Sequence, residues 1–282
     1  NSQSETALAY AWDCLGNLEK ALSHYLKAID LDGTNAKSIG SAAHLLQIKG
    51  ALLESLKMSR RASNLDPQNP VAKMQIARAL ELLNFTSQAR SQFQELFNLY
   101  PDNVFINEAY PRFLFYQSRF TSAKQHFEKA IERGASKDSL FKIYAELVWL
   151  IDGKEQAMIE LENALKVNPD NTSTANLLSI ITGKMQVSEG LKVIDIIEEE
   201  VIDGNTWPVN YIEAAIISLW VLKDENRAID FLQKSVEQGF LDSEYLAISP
   251  FFVKLKDHSA FYKLIDKMNN TRNNLKLLYE TE

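Results

Sequence analysis

The amino-acid sequence predicts an all-α fold of antiparallel helix pairs stacked side by side, on three observations. Helix-stop pentads recur at a constant step: "LDGTN", "LDPQN", "LYPDN", "RGASK" and "VNPDN" put Gly33, Pro67, Pro101, Ala135 and Pro169 successively 34 residues apart. Small residues recur in the same register, 12 and 5 positions before each stop. Punctuation is scarce, because 46% of the 282 residues are hydrophobic but only 10 are Gly and 7 are Pro, too few for a turn-rich β-fold.

Each unit reads as a first helix, a polar turn, and a second helix that ends at the stop. In the first unit Ala9 and Trp12 mark the first helix, Gly16 the turn, and Ala21, Tyr25 and Ala28 the second helix. The second unit repeats the scheme with Ala43, Leu46, Gly50, Ser55, Ser59 and Ala62, and the third with Ala77, Leu80, Ala89, Phe93 and Leu96. Ala123, Phe127 and Ala130 continue it in the fourth unit, and Ala145, Val148, Ala157, Leu161 and Ala164 in the fifth. Small residues belong where neighbouring backbones approach, and a larger side chain there would force the helices apart. Pro111 falls at the small site of the fourth unit's first helix, where the missing N–H predicts a kink or a late helix start. Ala135 stands where a stop proline is expected, with Gly134 as the cap.

Beyond Asn171 the pattern decays. The register puts Leu191 and Glu198 at the two close-contact sites of a sixth unit, which predicts looser packing or a shifted register. Ala228 and Ser235 restore small residues in a seventh unit, 37 positions later, and the loop "DGNTWP" accommodates the extra residues. The last stretch carries Tyr245, Leu246, Pro250, Phe251, Leu255, Phe261 and Leu264, suited to covering an exposed terminal face. "NNTRNNLKLLYETE" either frames a last helix or frays. The expected organisation is therefore five well-formed units over 1–171, two degenerate ones over 172–241, and capping helices over 242–282.

The 34-residue step, with its small and bulky sites, resembles the tetratricopeptide repeat, most clearly from Ala7 to about Asn171. That resemblance implies a right-handed superhelix whose first helices line a concave groove for a protein ligand. One groove position maps to Tyr10, His44, Arg78, Arg112 and Glu146, and neighbouring ones add Phe115, Lys142 and Trp149. Arginine forks beside aromatic rings suit a peptide or partner helix with acidic and apolar residues. Pairing of the arginines with Glu81 and Glu108 inside the groove is the alternative. The carboxylate clamp of some family members is disfavoured, since its positions read Thr6, Tyr10, Ser41, Met74 and Arg78, with only the last cationic. The tail resembles the end of helical-repeat arrays in bacterial winged-helix regulators and adenylate cyclases.

Chemistry is hard to assemble from these residues. A net charge of −7 disfavours direct nucleic-acid binding. With Cys14 the one cysteine, neither a disulfide nor a cysteine zinc site can form, and the thiol is expected to be buried. His24, His44, His126 and His258 lie on separate helices without metal spacing, and no phosphate loop or nucleophile elbow occurs. No cofactor and no metal are expected, and no apolar run is long enough to span a membrane. The acidic run "IIEEEVID" reads as a solvated face. The chain opens "NSQSETALAY", without Met or a signal-like region, and is expected to be a mature form or a piece of a larger bacterial protein. The expected function is a non-enzymatic protein-binding scaffold, cytoplasmic or a periplasmic domain, with pairing of two copies left open. The alternative is the sensory or dimerisation region of a regulator or cyclase whose output domain lies upstream.

Overall fold

Asparagine turns four of the five stops into the next start. In the computed structural model, which describes residues 1–134 and 137–281, the asparagine that ends four of the five pentads caps the following helix. The side chains of Asn35, Asn69, Asn103 and Asn171 accept hydrogen bonds from the N–H groups of Ser38, Val71, Ile106 and Thr174 at 3.1, 3.0, 3.2 and 2.9 Å. Those N–H groups would otherwise lack partners in the first turn. The stop expected at Ala135 lies outside the described residues; Gly134, just past the fourth second helix, has φ +79°.

The helices pair as α1 (Ser2–Cys14) with α2 (Leu18–Leu31), α3 (Ala36–Ile48) with α4 (Leu52–Leu65), and α5 (Pro70–Leu82) with α6 (Thr86–Leu99). Next come α7 (Val104–Tyr116) with α8 (Phe120–Glu132) and α9 (Lys137–Asp152) with α10 (Lys154–Val167). The turn inside a hairpin needs a left-handed residue, and the requirement keeps the period: Gly16 and Gly50 have φ of +74° and +76°, while Asn84 and Ser118 accept +59° and +55° despite their side chains.

Packing follows the small sites. Ala21, Ser55, Ala89, Ala123 and Ala157 are all fully buried. Where serine replaces alanine its hydroxyl is bonded: Ser55 Oγ donates to the Ala43 carbonyl at 2.8 Å. Pro111 neither delays nor divides its helix, which begins on the period at Val104, under the Asn103 cap, and runs unbroken to Tyr116. Cys14 is exposed, not buried, at the last position of α1 where the first hairpin turns.

The sixth unit slips by one residue. After α11 (Thr172–Thr182), which ends at the left-handed Gly183, α12 (Val187–Ile202) buries Gly190, Ile194 and Ile197 instead of Leu191 and Glu198. A Cβ on Gly190 would lie 2.9 Å from Ile217 Cγ2, so only glycine fits that approach. Glu198 thereby escapes to the surface, 3.5 Å from Lys234. This unit is also divided: α11 packs on α9 and α10, and α12 on the next hairpin. That hairpin joins α13 (Pro208–Ile217), extended by a π-turn over Ser218–Leu222, to α14 (Glu225–Glu237).

The chain closes with α15 (Ser243–Ile248), a 3-10 turn (Pro250–Leu255) and α16 (Ser259–Thr281), so the polar last stretch is part of one continuous helix. These elements bring the array back onto its start. The Thr206 N–H bonds the Gly16 carbonyl at 3.1 Å. Gly239 passes so close to Lys49 that a Cβ would sit 2.3 Å from its carbonyl carbon. Arg272 of α16 is 2% exposed and ends at α5: Nε donates to the Leu82 carbonyl at 2.7 Å and Nη2 to the Glu81 carbonyl at 3.1 Å. Nη1 completes the fork on Ser243 Oγ at 3.0 Å and on the Glu244 carboxylate. A buried arginine thus satisfies the last carbonyls of a helix far upstream.

Candidate functional site

Of the groove residues expected from the register, several are covered by the chain itself. Phe115 is fully buried against Tyr116 and Phe120, with ring centroids 5.9 and 6.0 Å away. Trp149 meets Phe251 of the 3-10 turn edge-on at 5.3 Å, and Trp220 at 5.7 Å. Glu146 is 1% exposed, accepting hydrogen bonds from Tyr245 Oη at 3.0 Å and from Ser249 Oγ. Burial raises its carboxyl to about 7, against the opposing pull of those hydroxyls and of the nearby, half-buried Lys142. C-terminal elements therefore cover Glu146 and pack on the half-buried Trp149, while Phe115 is buried within its own hairpin. Tyr10 is separate again, 60% exposed on α1 beside Cys14.

His44, Arg78 and Arg112 do come together, on α3, α5 and α7. They line a cavity of about 290 Å³ whose opposite wall is made by Trp207, Val209, Phe240 and Asp242. Arg78 is spoken for, since Nη1 donates to Glu81 at 2.6 Å and Nη2 to both oxygens of Asp242. The expected pairing of Arg78 with Glu81 is thus present, with a partner added from the far end of the chain. Arg112 differs: its Nε is buried without a hydrogen-bond partner. His44 keeps an open face toward the cavity, with the Trp207 ring 6.4 Å away. Loss of water on its other sides, then the Arg112 charge, pulls its imidazole down to about 4, so it is neutral near pH 7. At the rim Phe105 and Val209 are 63% and 50% exposed.

Trp207, Phe240 and Asp242 escape sequence reasoning, since they lie in connections where the 34-residue register no longer runs. The "DGNTWP" insertion was the one available signal, as an interruption that needed a purpose. His126 is packed edge-on against Phe97 and Tyr110 at 5.2 and 5.0 Å, a structural role. Among the described residues no cluster of His, Cys, Asp and Glu could hold a metal ion, and no helix is long and apolar enough to cross a membrane.

Stacked hairpins with small residues at their contacts and asparagine-capped starts define a helical-repeat solenoid, and the fold is that of tetratricopeptide-repeat proteins. A thermophilic TPR protein of Thermus thermophilus superposes with a TM-score of 0.60 at 14% identity, over 64% of this chain and 99% of its own. The APC/C hetero-tetramer Cut9-Hcn1 matches with a TM-score of 0.53 at 15% identity, over 95% of this chain and 42% of that one. A tetratricopeptide repeat protein from Parabacteroides merdae covers 95% of this chain and 99% of its own, with a TM-score of 0.48 and 14% identity. No family model matches the sequence, and no curated protein does.

Proposed function

We propose that this chain is a non-catalytic interaction scaffold, and that its guest is a short segment of another protein seated in the cavity under α3, α5 and α7. The observation behind this reading is Arg112, whose Nε is buried without an acceptor while its neighbour Arg78 is paired on both arms. Exposed Phe105 and Val209 at the rim offer apolar contact to what enters. At about 290 Å³ the cavity sits at the lower bound of ligand pockets, roughly 300 Å³, which suits a few extended residues better than a whole helix. In this reading residues 1–171 supply the receiving wall, and 172–282 narrow and close it.

Selection from a phage library of random dodecapeptides tests the proposal. Enriched peptides are expected to bind the intact chain and to lose about tenfold in affinity with Arg112→Met, the loss of a charged hydrogen bond. Val209→Asp at the rim should weaken the same peptides, while Leu31→Ser on the remote second helix should not. Peptides indifferent to both cavity variants would overturn the reading.

A further inference from the structure

Charge around the cavity decides what kind of group can meet Arg112. Two guanidiniums reach it, Arg78 from α5 and Arg112 from α7. Asp242 and Glu108 stand on the same walls, and Glu81 is bonded directly behind Arg78. His44 adds no positive charge near neutrality, for the reasons given above. The carboxylates already outnumber the guanidiniums, so an acidic side chain would arrive where no positive charge is in surplus.

The unmet polar atoms point to a neutral group. Arg112 Nε is a buried donor without a partner, and Gln75 Oε1 is a buried acceptor without one. Gln75 is 6% exposed, and both residues line the cavity. One donor and one acceptor are the complement of what a peptide backbone presents, a carbonyl and an N–H. The remaining lining is largely apolar and includes Met74, Leu82, Trp207 and Phe240.

We infer that the cavity reads the main chain of an uncharged, apolar segment, with Arg112 donating to a guest carbonyl and Gln75 accepting from a guest N–H. This rests on the cavity being a peptide seat, and it replaces the acidic guest expected from the arginines alone. The apolar part of the lining, Met74 and Trp207 included, favours an aliphatic or aromatic side chain on the seated residue. Recognition through backbone groups makes the seat tolerant of sequence and insensitive to ionic strength.

The peptides enriched on the intact chain provide the test, resynthesised and measured by fluorescence anisotropy. The expected consensus is apolar without Asp or Glu. Its affinity should change by less than about twofold between roughly 0.05 and 0.5 M salt, because no ion pair is screened. Methylating the seated amide nitrogen should weaken binding about tenfold, as should Arg112→Met. An acidic consensus whose affinity falls steeply with salt and depends on Arg112 would overturn this inference while leaving the scaffold reading intact. Peptides unaffected by Arg112→Met, or by Val209→Asp if the arginine variant misfolds, would overturn both.

Discussion

Glu146 shows how one side chain couples this fold to pH. Its carboxyl is buried between the hydroxyls of Tyr245 and Ser249, residues 99 and 103 positions away in sequence. In the unfolded chain it titrates at its ordinary 4.5, in the folded one at about 7. Between those values the native state holds a proton that the unfolded state has released. Lower pH in that window therefore stabilises the fold, and the contribution is lost as pH rises through 7. The gap corresponds to roughly 3 kcal/mol. Glu146→Gln keeps an acceptor for the hydroxyls and removes the titration. Urea unfolding at pH 5 and pH 8 should show the variant gaining on the parent by about 2–3 kcal/mol as pH rises; identical profiles would sink this account. The sequence register put Glu146 among the groove positions, and the structure buries it under Tyr245 and Ser249. Nothing local in the sequence could reveal that two hydroxyls from the C-terminal elements would meet it there.

Helices were legible because their starts and stops are local chemistry. A proline that cannot continue a helix and an asparagine that caps the next one act within five residues, so the pentads could be read directly. The late helix start expected at Pro111 fails for the opposite reason. Its lost hydrogen bond is a local cost, and the burial of Phe113, Leu114 and Phe115 around it holds the helix together regardless. The sixth hairpin was legible only as a departure: Leu191 and Glu198 announced a conflict, but the one-residue slip to Gly190 depends on Ile217 and Val221 across the contact. Replacing Gly190 with leucine should drive α12 from α13 and the π-turn. A loss of about 1–3 kcal/mol or more is expected, measured by chemical denaturation. Leu191→Ala, on the half-buried neighbouring position, should cost less. If the two variants are equally stable, the slipped register is wrong.

Across the entire chain the decisive contacts join the first three hairpins to residues beyond 203, and these have no periodic signature. An ordinary repeat array touches only its neighbours and can unfold piecemeal. Here Thr206 on Gly16, Asp242 on Arg78 and Arg272 on α5 link distant units directly. The parent chain should consequently unfold in a single transition, with tryptophan fluorescence and far-ultraviolet circular dichroism coinciding. Arg272→Ala leaves the carbonyls of Leu82 and Glu81 without their donors, at a cost of about 1–3 kcal/mol for each buried acceptor left unmet. The two probes should then separate, with fluorescence moving first; coincident curves in the variant would count against closure as the source of cooperativity.

The cap on α5 also has a consequence for how the protein is made. Leu82 and Arg272 are 190 residues apart, so a ribosome adding roughly 5–20 residues each second needs about 10–40 s to travel from one to the other. Throughout that interval the nascent chain displays the end of α5, together with the bare inner face of its early hairpins. Only when the final helix emerges from the exit tunnel can the newborn molecule seal itself.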